Sequence, residues 1–418
     1  MKLSFIMIVK NGEKTIGKAL ESIKDITFEQ IVVDTGSTDR TVEIARELGA
    51  DVYHFEWIDD FAAARNFSID QASGDWILGL DADEYFLPED TQKLLEFLKQ
   101  TLAQPKKREK IKAISCMAVS IDDNGRPMTK NPTLHLFRNH PSIRFTGRIH
   151  EQLSIDISEI EHAGDISLYH TGYSQATHKE TGKAERNIKL LRAELENDPS
   201  NINLKVYLAN SLSILTGEEH QAEAEKLYNE ILSSDTLGSV HITMRVKMHI
   251  FFINKYLNEP GKIAESEEMC RRALADIPEC IDFWYFLAMV LSKKGEHQAA
   301  WELLKKCEAK LIEAAETNGA IVIPADPTVL FGQMILTAQK LNDLENVVLY
   351  STHVLSLDKT RHSVLSPLIA TLLHYGVTEE ETVSLLSNIY DFNDNDELAF
   401  VAAAARNCGA TAFADRLG

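Results

Sequence analysis

The sequence predicts two fold classes in succession: an α/β domain on a mixed sheet over residues 1–182, then an all-α region of stacked helical hairpins over residues 183–418. Three observations predict this. Short apolar runs alternate with amphipathic stretches through the first hundred residues. Acidic or polar turns follow those runs. After Lys183 only helical periodicity remains, with one block that recurs. A length of 418 residues and a hydrophobic content of 44% allow two to three domains with substantial cores.

The first strand is read at residues 3–9. Its apolar run is too short for a membrane span, is closed by Lys10-Asn11 and lacks a small-residue cleavage site, so it is a strand and not a signal peptide. A helix follows at 13–24, then a strand at 30–33 that ends in Asp34-Thr35-Gly36-Ser37-Thr38-Asp39. The next helix spans 38–48, with Thr38 or Ser37 as its cap. A strand at 51–55, a helix at 61–72 and a strand at 75–80 complete the alternation, which implies mainly parallel pairing here. Ligands of such sheets sit beyond the strand carboxyl ends, where Asn11, Asp34, Asp81 and Asp83 can meet in one crevice. In an extended chain Asp81 and Asp83 point to the same side. Two such carboxylates suit Mg²⁺ or Mn²⁺. Further strands are read at 111–121 and 134–137, joined by a turn at Asp122-Asp123-Asn124-Gly125.

The formal net charge of −20 argues against nucleic acid and anionic membrane surfaces as partners. Lys106-Lys107-Arg108 reads as a solvated loop. No apolar run reaches the ~18 residues of a span. Five scattered cysteines without metal spacing read as reduced, packed thiols, and the expected setting is cytoplasmic.

In the helical half, Glu219-His220-Gln221-Ala222 recurs as Glu296-His297-Gln298-Ala299, 77 residues on. Two hairpins of ~34 residues plus a longer turn give that spacing, the tetratricopeptide-like period. The middle pair is read at 244–257 and 263–277, and a further pair at 328–341 and 344–357. Pro199 and Pro278 precede first helices, and Phe283-Trp284-Tyr285-Phe286 reads as core. Stacked hairpins offer a concave surface for a peptide or protein. A scaffold or homodimer role stays open beside that.

Four blocks now carry a resemblance: Ile8-Val9-Lys10-Asn11-Gly12-Glu13, Ile31-Val32-Val33-Asp34 through Thr41, Ala64-Arg65-Asn66 and Asp81-Ala82-Asp83. Together they resemble the family 2 glycosyltransferases of the GT-A fold, a Rossmann-like mixed sheet. The resemblance implies an inverting transfer from a nucleotide-sugar, most often a UDP-sugar. It implies a donor site at Val9, Asn11, Asp34, Arg65, Asn66, Asp81 and Ala82. There Asp34 would accept the uracil N–H, and Arg65 would meet phosphate or ribose. Asp83 would ligate a divalent metal, with Asp81 on the ribose or on the metal through water. His170, in Tyr169-His170-Thr171-Gly172-Tyr173, would complete the metal shell, and its imidazole suits Mn²⁺. The base would be His150 or Glu151, in Gly147-Arg148-Ile149-His150-Glu151, with Glu151 preferred. The Q-x-x-R-W motif of processive synthases is absent.

A family 2 domain fused to helical repeats resembles the bacteriocin peptide S-glycosyltransferases of the sublancin and thurandacin type. That implies glucose passed from UDP-glucose to a peptide cysteine. The other acceptors it leaves are a cell-envelope glycan or protein Ser/Thr, with the repeats serving assembly. Gly12, where an acid is common, and a catalytic domain starting at Met1 are departures from the pattern.

Overall fold

The computed structural model describes residues 2–121, 127–171, 182–317, 321–323 and 326–417. The turn expected at residues 122–125, and Gly172 and Tyr173, lie outside them.

Strand β1 (Leu3–Val9) is apolar at nearly every position because both its faces are covered. Leu3, Phe5, Met7 and Val9 enter one core with α1 (Ile16–Ile23) and α4 (Pro88–Ala103). Ile6 enters the other, with Ile69 of α3 (Phe61–Gln71). Among the described residues eight strands form one mixed sheet, ordered β3-β2-β1-β4-β7-β6-β10-β5. β2 (Glu29–Asp34), β3 (Asp51–His54) and β4 (Trp76–Gly79) run parallel to β1 as chain neighbours in that order. β5 (Glu84–Phe86), β6 (Ala113–Ile121), β7 (Pro127–Arg138) and β10 (Ile160–His170) complete it. β7 runs antiparallel to β4 and β6, and β10 antiparallel to β5. The pair β8 (Phe145–Thr146) and β9 (Gln152–Leu153) stands apart. The α/β class and mixed sheet are those expected.

Several boundaries differ for local reasons. α1 starts at Ile16 because Glu13 is spent on a turn, its amide on Asp39 and its carboxylate on Arg40 N–H. α2 (Thr41–Glu47) is not capped by Ser37 or Thr38. Asp39 accepts the Thr41 amide at 3.0 Å, while Ser37 and Thr38 bond Asn11. β7 extends far beyond the expected 134–137. Its early part pairs only with β6, and an edge tolerates Pro127 and Pro132. The basic run at 106–108 lies in a short helix, α5 (Pro105–Lys110), where Lys107 meets Glu161 at 2.5 Å.

Two compact units divide the chain, Met1–Tyr228 and Asn229–Gly418. In the first, α6 (Lys183–Asn197) and α7 (Ile202–Ile214) follow the sheet. α8 (Glu218–Leu232) contains the division, which falls three helices later than the change of periodicity. The second unit is helical. α9 (Ile242–Asn258) packs on α10 (Ile263–Asp276), α11 (Ile281–Lys293) on α12 (His297–Thr317), and α13 (Thr328–Lys340) on α14 (Leu344–Leu357). α15 (His362–His374), α16 (Glu379–Leu386), α17 (Asn395–Asn407) and α18 (Thr411–Leu417) close it. Phe283, Trp284, Tyr285 and Phe286 are buried, as expected. All five cysteines are free thiols. Burial pushes Cys116, Cys270, Cys280 and Cys307 up to about 12, so they serve packing. No helix among the described residues is long and apolar enough to cross a membrane.

Gly12 is fixed by a close approach. A Cβ there would lie 2.9 Å from Val9 Cγ2 and 3.2 Å from Ala82 Cβ, so only glycine lets the β1 turn pack on the Asp81-Ala82-Asp83 turn. Gly12→Ala is expected to destabilise the first unit by about 1–3 kcal/mol, read as an earlier urea transition. An unchanged midpoint would show that the two turns separate freely.

Candidate active site

The carboxyl ends of β1, β2 and β4 open onto one crevice, and their loops are tied to each other. Thr35 donates through its amide (2.9 Å) and its hydroxyl (3.1 Å) to the Val9 carbonyl. Asn11, held at φ 54°, accepts the Thr38 amide at 2.8 Å and gives its own amide to Ser37 Oγ. Asp34, at the end of β2, is 4% exposed. Its carboxylate accepts the Gly36 amide (3.3 Å), the Ser37 amide (3.0 Å) and a contact from His54 Nδ1 (3.3 Å). Burial alone would raise its pKa. Ser37, Gly36 and His54 outweigh that and hold it below the usual carboxylate value. Gly36, at φ 103°, supplies the left-handed turn that aims those amides.

Asp81 and Asp83 do not lie in an extended strand with a shared direction. They flank a turn closed by the Glu84 amide on the Asp81 carbonyl at 3.0 Å. Their carboxylates serve different partners. Asp81 takes Arg65 at 2.8 Å, and Asp83 lies 3.3 Å from His170 Nε2. Ala82 packs between them against the sheet core. The carboxylate of Glu84 is buried and accepts the Asp81 amide at 2.9 Å. Burial pushes its pKa up, with the Asp81 charge adding to the effect.

Arg65 is the hub. It projects from α3, whose start is capped by Asp60 on the Ala63 amide at 2.8 Å. Its Nε meets Glu151 at 2.5 Å while a terminal nitrogen holds Asp81. Burial opposes the charge on Arg65, but Asp81 and Glu151 together drive its pKa upward. Burial also opposes ionisation of Asp81, and Arg65 keeps it below the usual range. The next residue, Asn66, bonds Phe145 twice, amide to carbonyl in each direction at 2.9 Å, and so fixes the start of the loop that carries Glu151. His150 goes elsewhere. At φ 51° its ring stacks on Tyr207 of α7, 3.7 Å between centroids and 16° between planes. Desolvation there lowers its pKa. For His170, burial would lower the pKa, yet the contact with Asp83 raises it. Among the described residues no three metal-ligating side chains converge.

With that geometry in place, residues 4–106 match the Glycosyl transferase family 2 profile, from β1 through α4 and past the Asp81–Asp83 turn. Residues 4–106 form a family 2 glycosyl transferase domain. The chain is 34% identical over 232 residues to a TPR repeat-containing protein of Synechococcus elongatus, covering 53% of this chain and 54% of that one. It is 29% identical over 297 residues to the SPbeta prophage-derived glycosyltransferase SunS of Bacillus subtilis, covering 68% and 65%. The chain thus spans about half to two thirds of the length of these relatives. The crystal structure of S. aureus TarS 1–349 with UDP-GlcNAc aligns at TM-score 0.37 and 17% identity, over 66% of this chain and 92% of that one. A likeness that loose supports no argument.

The same strand ends carry a further feature, part of it contributed from outside residues 4–106. A pocket of about 180 Å³ lies at the ends of β1 and β2, lined by Ile8, Val9, Lys10, Thr35, Trp57, Phe61 and Arg186. Trp57 and Phe61 meet edge to face, centroids 4.8 Å apart, and Arg186 of α6 stands 5.0 Å over the Phe61 ring. The visible signal was an aromatic pair, Trp57 and Phe61, bracketing the helix cap Asp60 in an otherwise polar loop.

Asp34 links the site to pH. Its folded pKa lies below the unfolded value of 3.8, so its hydrogen bonds add stability above that pH and lose it as pH falls through 3.8 and below. Asp34→Asn is expected to lower the thermal midpoint at pH 6–7, with the gap to the wild type closing below about pH 3.8. A gap that persists unchanged at pH 3 would show that the charge is not what the turn needs.

Proposed function

We propose that the chain is an inverting glycosyltransferase that moves a hexose, glucose in our reading, from a UDP-sugar to a cysteine thiol of a peptide. The observation that carries it is the junction of Asp81, Arg65 and Glu151 at the strand ends of a family 2 domain. On this reading Glu151 serves the acceptor, and Asp83 and His170 serve the leaving group. The similarity to SunS, a glycosyltransferase, supports sugar transfer, and stacked helical hairpins suit a peptide acceptor. A cytoplasmic setting suits a ribosomal peptide acceptor and reduced cysteines.

The nucleoside would seat at Asp34 and Thr35, with Asn11 and Val9 shaping the floor. Arg65 holds both the Asp81 and the Glu151 carboxylates in place. Glu151 accepts the thiol proton. The sulfur then attacks the anomeric carbon from the face opposite the diphosphate, the C–S bond forms as the C–O bond breaks, and UDP leaves. A thiol asks little of its base, since its pKa is ~8.5.

Asp83 and His170 fit a divalent cation. Their donor atoms are 3.3 Å apart, close to the spacing of two ligands at right angles on one ion with bonds of about 2.0–2.2 Å. Two protein donors suffice where diphosphate and water supply the rest. When bound, the metal would neutralise charge developing on the diphosphate. The helical repeats would present the peptide.

Mass spectrometry of cysteine peptides incubated with the full chain, a panel of UDP-sugars and Mn²⁺ or Mg²⁺ tests the reading. The expected product is a single hexose on cysteine. A product confined to Ser or Thr would reassign the acceptor, and no transfer from any UDP-sugar would remove the reading.

Two variants sharpen it. Asp83→Asn and excess chelator should each abolish transfer, and full activity in chelator would exclude a metal. Glu151→Gln should slow transfer by about 10²-fold near pH 7. That defect should shrink above pH ~8.5, where the thiolate forms unaided. A defect constant with pH would show that Glu151 is not the base for a thiol.

A further inference from the structure

The family 2 match ends at residue 106, yet the pocket at the ends of β1 and β2 is closed from outside it. One wall is the β1 end with Thr35. The second is Trp57 and Phe61. The third is Arg186, from the first helix after the sheet. We propose that Arg186 is a donor-binding residue, and that the pyrimidine ring of the nucleotide seats in this pocket against Trp57, Phe61 and the Arg186 guanidinium. The proposal rests on the UDP-sugar reading above and adds to it a residue contributed from the helical region.

Size comes first. Sites enclosing a drug-sized ligand run to about 300–1,000 Å³. At about 180 Å³ this pocket takes one ring of a nucleotide-sugar and leaves the diphosphate outside it. Its chemistry points to a flat, polar-edged ring. Trp57, Phe61 and the planar cation standing over Phe61 give it flat walls that suit such a ring.

The two arginines of the crevice differ in what they have left to give. Arg65 already serves two carboxylates. Arg186 stands over Phe61, and its hydrogen bond is to its neighbour Asn187 at 3.3 Å. Among the described residues no carboxylate forms an ion pair with it, which leaves a planar guanidinium at the pocket mouth.

Nearby contacts hold it there. Lys189, one turn along α6, meets Asp59 at 2.6 Å, and Asp59 in turn accepts Trp57 Nε1 at 2.8 Å. Arg148, whose carbonyl takes the Phe61 amide at 2.9 Å, reaches Glu194 of α6 at 3.1 Å. The aromatic loop and the helix are therefore positioned by each other.

Calorimetry of the full chain with UDP and, separately, with uridine tests this. Uridine lacks the diphosphate, so its binding reports the ring alone and needs no metal. Arg186→Ala should weaken both ligands by about tenfold, the effect of losing one stacking partner. Arg186→Lys should recover little, since a compact ammonium cannot stack. Phe61→Leu should weaken both as well. Circular dichroism accompanies each variant, and Arg186→Gln replaces the alanine if that one unfolds. Wild-type affinities in folded Arg186→Ala would overturn the proposal while leaving the UDP-sugar reading intact. Weaker UDP with unchanged uridine would also overturn it, making Arg186 a phosphate ligand. A wild type that binds neither UDP nor uridine would overturn both readings.

Discussion

One guanidinium holds the crevice together. Arg65 joins three segments that are remote in sequence: α3, the turn after β4 and the loop between β8 and β9. Its fork of donors matches two carboxylates at once, which an ammonium cannot do with the same geometry. Without it, two carboxylates would share a partly desolvated site with no cation between them. The adjacent Asn66 shows the same economy, because its two bonds to Phe145 set the strand that leads to Glu151. Consecutive residues of one helix thus place both the base candidate and the loop that bears it.

Helices α6 and α7 extend this constraint beyond the sheet. Ion pairs alone would not hold them. Lys189 and Asp59 are 71% and 39% exposed, and solvent screens pairs of that kind so that they contribute little. The contacts that resist water are planar ones, His150 on Tyr207 and Arg186 on Phe61. Such faces lose little side-chain freedom on docking and bury more area. His150 is therefore engaged in shape, which leaves Glu151 as the carboxylate directed at the crevice.

Much of this was legible in the chain. β1 was read from an unbroken apolar run, and such runs arise only where both faces of a strand are covered. Asn11, Asp34 and Asp81 were found because a polar residue that closes an apolar strand marks its carboxyl end, where ligands of such sheets sit. The pairing of Asp81 with Asp83 was misread, since spacing in sequence fixes direction only while the chain stays extended, and Glu84 closes a turn there. The cap of α2 was misplaced because Ser37 and Thr38 had a better use on Asn11. β7 was cut short since its early residues follow no alternation, an edge strand with prolines needing none. The contact of Arg186 with Phe61 spans 125 positions, and no periodicity encodes it.

On the proposed reading, Asp34 would carry a structural and a binding role on one side chain. Two carboxylate oxygens offer about four acceptor positions. The Gly36 amide, the Ser37 amide and hydroxyl, and His54 fill them. Three of these donors belong to the turn and cannot leave without unmaking it. His54 differs: its side chain is 63% exposed and its contact is long, at 3.3 Å. On the proposed reading, a ligand N–H arriving at Asp34 displaces His54 alone and leaves the turn intact. One carboxylate position is then all that reads the edge of the ring. Discrimination among nucleobases falls largely to the size of the slot beside Trp57 and Phe61, which accommodates a single ring more readily than a fused pair.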